Sequence, residues 1–163
     1  MNDEMNRRNT YPVNIVRICI DQYENMDISG RLYSKMCTEQ IVFNSFNDFL
    51  LKTDRIFDEN GFPQAFQQKR TFKNQNISHG YSGRPQTSVS DTCIEEQQGK
   101  IRTFDIVVQT RQKTGWQGVL RDELKKETGF FQSEIELLKL LEKALEKSEG
   151  GVKEHILKHL PET

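Results

Sequence analysis

Residues 105–147 read DIVVQTRQKTGWQGVLRDELKKETGFFQSEIELLKLLEKALEK. Residues 17–59 read RICIDQYENMDISGRLYSKMCTEQIVFNSFNDFLLKTDRIFDE. Laid over one another without a gap, the two stretches share few letters: Ile18/Ile106, Gly30/Gly118, Leu32/Leu120, Glu39/Glu127, Phe43/Phe131, Ser45/Ser133 and Leu50/Leu138. The physical pattern repeats better than the letters. Val16, Ile18 and Ile20 alternate with Arg17, Cys19 and Asp21, which is the period of a half-buried strand. After the turn at YENMD, Ile28, Gly30 and Leu32 alternate with Ser29, Arg31 and Tyr33. The second stretch repeats this with Phe104, Ile106 and Val108, a turn at QKTG, and then Trp116, Gly118 and Leu120. All inward positions carry even numbers, so facing residues sum to an even number and each loop has an odd length. Three-residue loops, Glu24–Met26 and Gln112–Thr114, are expected. Each would close on a left-handed residue, a place that suits Gly115 better than Asp27.

A short apolar piece follows each hairpin, QIVF or GFF, and reads as a third strand. Ser45-x-x-Asp48 and Ser133-x-x-Glu136 then open helices as N-caps, the second as a full capping box. Phe46, Phe49, Leu50, Thr53, Ile56 and Phe57 recur at helical spacing, as do Leu137, Leu138, Leu141, Ala144 and Leu145. Asn60-Gly61 and Gly150-Gly151 are expected to stop the two helices. One helix covers only one face of a hairpin. The expected fold is therefore α+β: a two-layer sandwich, an antiparallel sheet with both helices on one face, built from a duplicated strand–strand–(strand)–helix unit about a pseudo-two-fold axis. Residues 1–163 form one domain. Within it lie a first ββα repeat at 11–61, a long polar inter-repeat loop at 62–100, a second repeat at 101–149 and a short C-terminal helix at 150–163 with Val152, Ile156 and Leu160 on one stripe.

The totals bound the class. At 163 residues a real core forms without disulfides. A mean hydropathy of −0.74 is low for such a core, and the Gln/Ser/Asn-rich stretch 62–100 accounts for it by dilution. A net charge of −1 gives no global field for nucleic acid or an anionic membrane. Cys19, Cys37 and Cys93 are odd in number and lack a C-x-x-C spacing, which reads as reduced thiols in a cytoplasmic protein. MNDEMNRRNT has no apolar core of a signal peptide, and no apolar run approaches the ~20 residues that span a bilayer.

Trp116 shares parity with Ile106, Val108 and Leu120 and stands where the first stretch has Ile28, so it is expected in the core. The opposite sheet face carries Arg17, Asp21, Arg31 and Tyr33 from the first repeat, and Asp105, Gln109, Arg111, Gln117 and Arg121 from the second. With no helix left over to cover it, this face is expected to be open. Arg17, Arg31, Tyr33, Arg111, Gln117 and Arg121 are then the candidate partner-binding residues, since guanidinium forks suit carboxylate and phosphate. A solvated antiparallel face is the plainer alternative. Lys69, Arg70, Phe72 and Lys73 form a small basic loop, and His79, Tyr81 and Arg84 a Gly-rich turn of the kind that cradles phosphate. His155-x-x-x-His159 has the spacing of a two-His metal site but no evident third ligand. No catalytic constellation, metal site or cofactor is implied, and Cys19 and Cys93 show no activating partner in the sequence.

The second hairpin and helix, RQKTGWQGVL followed by FFQSEIELLKLLEKAL, resemble small bacterial proteins of unassigned function. These carry an R-Q-x-x-x-W-Q-G hairpin and a helix opening F-x-S-x-x-E-L. The resemblance covers about residues 103–147 and rests on Arg111, Gln112, Trp116, Gln117, Gly118, Phe131, Ser133, Glu136 and Leu137. It implies the unit and no activity. The expected function is a non-enzymatic binding or regulatory module whose partner is another protein or a second copy. A nucleic-acid binder using the same arginines and the basic loop is the first alternative, and a small-ligand or catalytic site between the repeats is the second. No membrane partner is expected.

Overall fold

The computed structural model describes residues 12–63, 89–111, 115–123 and 126–157, with side chains to residue 147. It is a six-stranded antiparallel sheet with two long helices on one face, an α+β fold. In chain order the elements are β1 (Ile15–Glu24), β2 (Asp27–Ser34), β3 (Ile41–Phe43), α1 (Phe46–Asn60), α2 (Asp91–Glu95), β4 (Arg102–Thr110), β5 (Gln117–Arg121), β6 (Glu127–Phe131) and α3 (Glu134–Leu157). The strand order is β3-β2-β1-β4-β5-β6. Each half thus runs outward from the middle of the sheet, and β1 and β4 pair there with Val16 opposite Ile106, Arg17 opposite Asp105 and Ile18 opposite Phe104.

On β1, β2, β4 and β5 the even-numbered positions face the helices up to the bulges, and on the edge strands the odd-numbered Phe43 and Phe131 do. Val16, Ile18, Ile20, Ile28, Leu32, Phe104, Ile106, Val108, Trp116 and Leu120 join Phe49, Ile56 and Phe57 of α1 and Leu137, Leu141 and Leu145 of α3 in one core. Trp116 is 3% exposed and meets Phe49 and Phe57 edge-on, with ring centroids 6.1 and 5.6 Å away. The helices start as their caps require. Ser45 Oγ accepts from the Asp48 amide at 3.0 Å and Ser133 Oγ from the Glu136 amide at 3.2 Å. Asp48 returns a bond from the Asn44 amide, and Glu136 from the Gln132 amide. In both helices the carboxylate thus reaches back one residue beyond the cap, to Asn44 or Gln132 and not to the cap's own amide as the capping box expected of the second helix would have it.

Four expectations are corrected. The first hairpin has a two-residue loop: Asn25 and Met26 lie between paired Glu24 and Asp27, both left-handed with φ of 52° and 60°. Such loops suit the twist of a hairpin. The parity argument failed because the register shifts between Ile20 and Gln22, and a bulge at Asp21 absorbs the odd residue. The second loop, 112–114, lies outside the described residues. The Gly150-Gly151 pair does not end a helix, since α3 continues to Leu157. No separate helix therefore begins at residue 150. The stretch 62–100 is not all loop: Ser90 caps α2 through the Cys93 amide. Finally, the outer sheet face is not open at its centre. Residues Ile15–Ile20 and Thr103–Val108 are buried without a break, which requires cover on both faces.

Candidate functional site

The cover over the outer face comes from residues 90–101. Arg17, only 3% exposed, lies beneath them. Its Nε and Nη2 donate to the two oxygens of Asp105 at 2.8 and 3.0 Å. Nη1 donates to the carbonyl of Glu95 at 2.7 Å and to those of Ile94 and Gln97 at 3.3 Å. A guanidinium so engaged has no fork left for phosphate or a partner's carboxylate. Ile94, 1% exposed, completes the contact as an apolar plug. Farther along, the backbone of Gly99 lies against that of Ile20, and the Ile101 amide donates to the Ile20 carbonyl at 2.9 Å.

Arg31 is half-buried at the margin of this cover. It forms a two-pronged pair with Asp21 at 2.9 and 3.0 Å and donates to the Gln98 carbonyl and to Tyr33 Oη. The Tyr33 hydroxyl donates in turn to Gln40 Oε1 at 2.9 Å. The Arg31 bond, with a further one from the Lys100 amide, holds the Asp21 carboxyl below its ordinary value.

Arg111 is on the other face. A second register shift between Val108 and Thr110 rotates the strand end, so its side chain turns toward α1. There it is 5% exposed, lies over the Phe57 ring and donates to the Pro63 carbonyl, Asp54 and Asp58. Trp116 Nε1 shares Asp54 with it at 3.3 Å. Gln117 is half-buried and bonds Thr110 and the carbonyls of Gly115 and Gln132. Arg121, opposite Asp105 and Glu127, is half-buried too, and its Nε has no partner among the described residues.

The six candidate partner-binding residues are thus not one open surface. Arg17 is tied into the cover, Arg111 belongs to the helix side, and only parts of Arg31, Tyr33, Gln117 and Arg121 reach the outside. Lys69, Arg70, Phe72, Lys73, His79, Tyr81 and Arg84 lie outside the described residues, as do the side chains of His155 and His159. Among the described residues no group of three or more His, Cys, Asp or Glu side chains is placed to hold a metal ion. No helix there is long and apolar enough to cross a membrane.

Sequence reasoning missed the outer edge of the second half. Ile15, Val107, Val119 and Phe130 are successive cross-strand neighbours on the outer face. The first three are buried, whereas Phe130 on the edge strand β6 is 68% exposed. Ile135, at the start of α3 beside that strand, is 67% exposed. The Phe130-Phe131 doublet carried the signal: on a strand, adjacent residues face opposite sides, so only one of two phenylalanines reaches the core. No family model, curated protein or solved structure matches the chain.

Proposed function

We propose that the chain is a non-enzymatic binding module that meets another protein along β6, which accepts an extended segment of the partner as a seventh strand. The carrying observation is the exposure of Phe130 on an edge strand, one residue from its end. An edge strand offers unpaired amides and carbonyls, and an aromatic side chain beside them adds apolar area. The opposite edge, β3, is three residues long and offers Val42, 52% exposed, a smaller anchor. The engagement of Arg17, Arg31 and Arg111 within the fold weighs against the nucleic-acid alternative. The test is capture from native extract, with and without nuclease, by the full chain and by Phe130→Asp and Leu51→Asp. Leu51 is equally exposed, but on α1. Nuclease-resistant partners lost with Phe130→Asp and kept with Leu51→Asp support the reading. Capture indifferent to Phe130, or lost with nuclease, overturns it.

We infer also that the two halves derive from one duplicated ββα unit. Support comes from details that recur 88 residues apart. The register shifts fall at 20/22 and 108/110. Gly30 faces the Cys19 carbonyl as Gly118 faces that of Val107. Ser45 and Ser133 cap the helices. Arg17 and Asp105, at equivalent places, pair with each other at the seam, as a two-fold axis there would require. A crystal structure in which residues 17–59 failed to superpose on 105–147 would remove this inference.

A further inference from the structure

We propose that Cys37 and Cys93 form a reversible oxidation site, a thiol pair that a hydroperoxide converts to a disulfide. The two cysteines come from different parts of the chain and line one cleft. Cys37 lies in the β2–β3 connection and Cys93 in α2, with Tyr33, Gln40 and Gln97 around them. The cleft holds about 140 Å³, a few water volumes, so the two cysteines border one small common space. An ion pair between Lys35 and Asp91, two residues before each cysteine, ties the two segments together.

The two thiols differ in a way that assigns their roles. Cys93 is exposed, and Ser90 Oγ donates to its sulfur at 3.2 Å, so it is the one a peroxide reaches. Cys37 is half-buried; burial, with the Glu59 charge as a lesser cause, pushes its thiol up and keeps it protonated until called on. The Cys93 thiolate attacks the peroxide: an S–O bond forms, the O–O bond breaks, and the alcohol or water leaves after taking a proton. The Cys37 sulfur then attacks the Cys93 sulfenic acid, an S–S bond forms, and water leaves with the Cys37 proton. In total two thiols and one hydroperoxide give one disulfide, one alcohol (or water) and one water. Closing the bridge staples α2, and with it the cover over Arg17, to the end of β2.

The test treats the full chain with hydrogen peroxide, alkylates it and maps its peptides without reduction. A Cys37–Cys93 linked peptide is expected as the main product, reversed by dithiothreitol and absent from both Cys37→Ser and Cys93→Ser. Cys19, fully buried and with its thiol pushed up to about 11 by burial, is expected to react only after denaturation. Wild-type protein in which Cys93 ends as sulfinic acid or as a bridge between chains, with Cys37 still open to alkylation, overturns the proposal.

Discussion

The amides of Ile28 and Trp116 stand at the same place in the two halves of the sheet, 88 residues apart, and each is held by a carboxylate. In the first half the carboxylate belongs to the strand: Asp27 accepts from its neighbour Ile28 at 2.9 Å and from Phe46, the first residue of α1, at 2.8 Å. In the second half it belongs to the helix, where Glu134 accepts from Trp116 at 3.1 Å. The job of tying hairpin to helix is kept while the residue that does it changes sides. The outer faces differ more. The first half carries the Arg31–Asp21 pair and the cover of residues 90–101, whereas the second carries Val107 and Val119 and ends in exposed Phe130. Backbone devices are shared between the halves; side-chain chemistry is particular to each.

The seam is where the comparison is most exposed to test, because Arg17 comes from one half and Asp105 from the other. Arg17→Leu takes the guanidinium away from a carboxylate that is 1% exposed, and the expected loss of stability is about 3–5 kcal/mol. The double variant Arg17→Leu/Asp105→Leu is expected to recover part of that loss, since no lone charge remains. Urea unfolding of the singles and the double measures the coupling. Additive losses would mean that the two residues serve their own halves separately.

The shared glycines come next. A Cβ on Gly30 would lie 2.0 Å from the Cys19 carbonyl oxygen, and one on Gly118 the same distance from that of Val107. Gly30→Ala and Gly118→Ala are each expected to cost about 2–3 kcal/mol, because backbone in the middle of a sheet must move to admit them. Equal losses in urea unfolding sharpen the parallel between the halves. Tolerance at only one of the two sites would break it.

A smaller effect is expected where the halves diverge inside the core. Trp116→Ile installs the first half's residue in the second. It empties space between Phe49 and Phe57 and strips Asp54 of the indole donor, while Arg111 still pairs with that carboxylate. The expected loss is about 2 kcal/mol, with cooperative unfolding preserved. A neutral result would show that the indole is not the core's anchor in that half.

Strand alternation, helix spacing and the serine caps were legible because each is a local rule with a fixed period, and they gave the layers and the inward face. The bulges at Asp21 and Gln109 were not, since an inserted residue changes parity without changing composition. That single effect misplaced Arg111 and lengthened the first hairpin loop by one residue. The cover over Arg17 escaped for a different reason. Residues 90–101 have little periodicity, and their hold on the sheet comes from backbone carbonyls, which every sequence possesses. An arginine read as open was for that reason the best-paired group on the face.

The last expected difference between the halves is one of pH. Asp21 sits on the first bulge, where the second half has Gln109, so only the first half has a titrating clasp there. The Arg31 bond above all, and then the Lys100 amide, hold the Asp21 carboxyl below its ordinary value of 3.8. A carboxyl lowered in the folded state stabilises that state fully above its unfolded value, and the contribution disappears as pH falls through the lower folded one. Asp21→Asn is therefore expected to cost about 1 kcal/mol near pH 7, a modest figure because the pair is partly solvated. The gap between wild type and variant should narrow below about pH 4 and close once the pH has fallen through the lowered folded value. Protection of the Lys100 amide against hydrogen exchange, taken relative to its intrinsic rate at each pH, should fall over the same range in the wild type, since that amide is bonded to Asp21 at 3.0 Å. A gap unchanged at low pH would place the value of Asp21 in its shape at the bulge rather than in its charge, and the two bulges would then be alike in chemistry as well as in register.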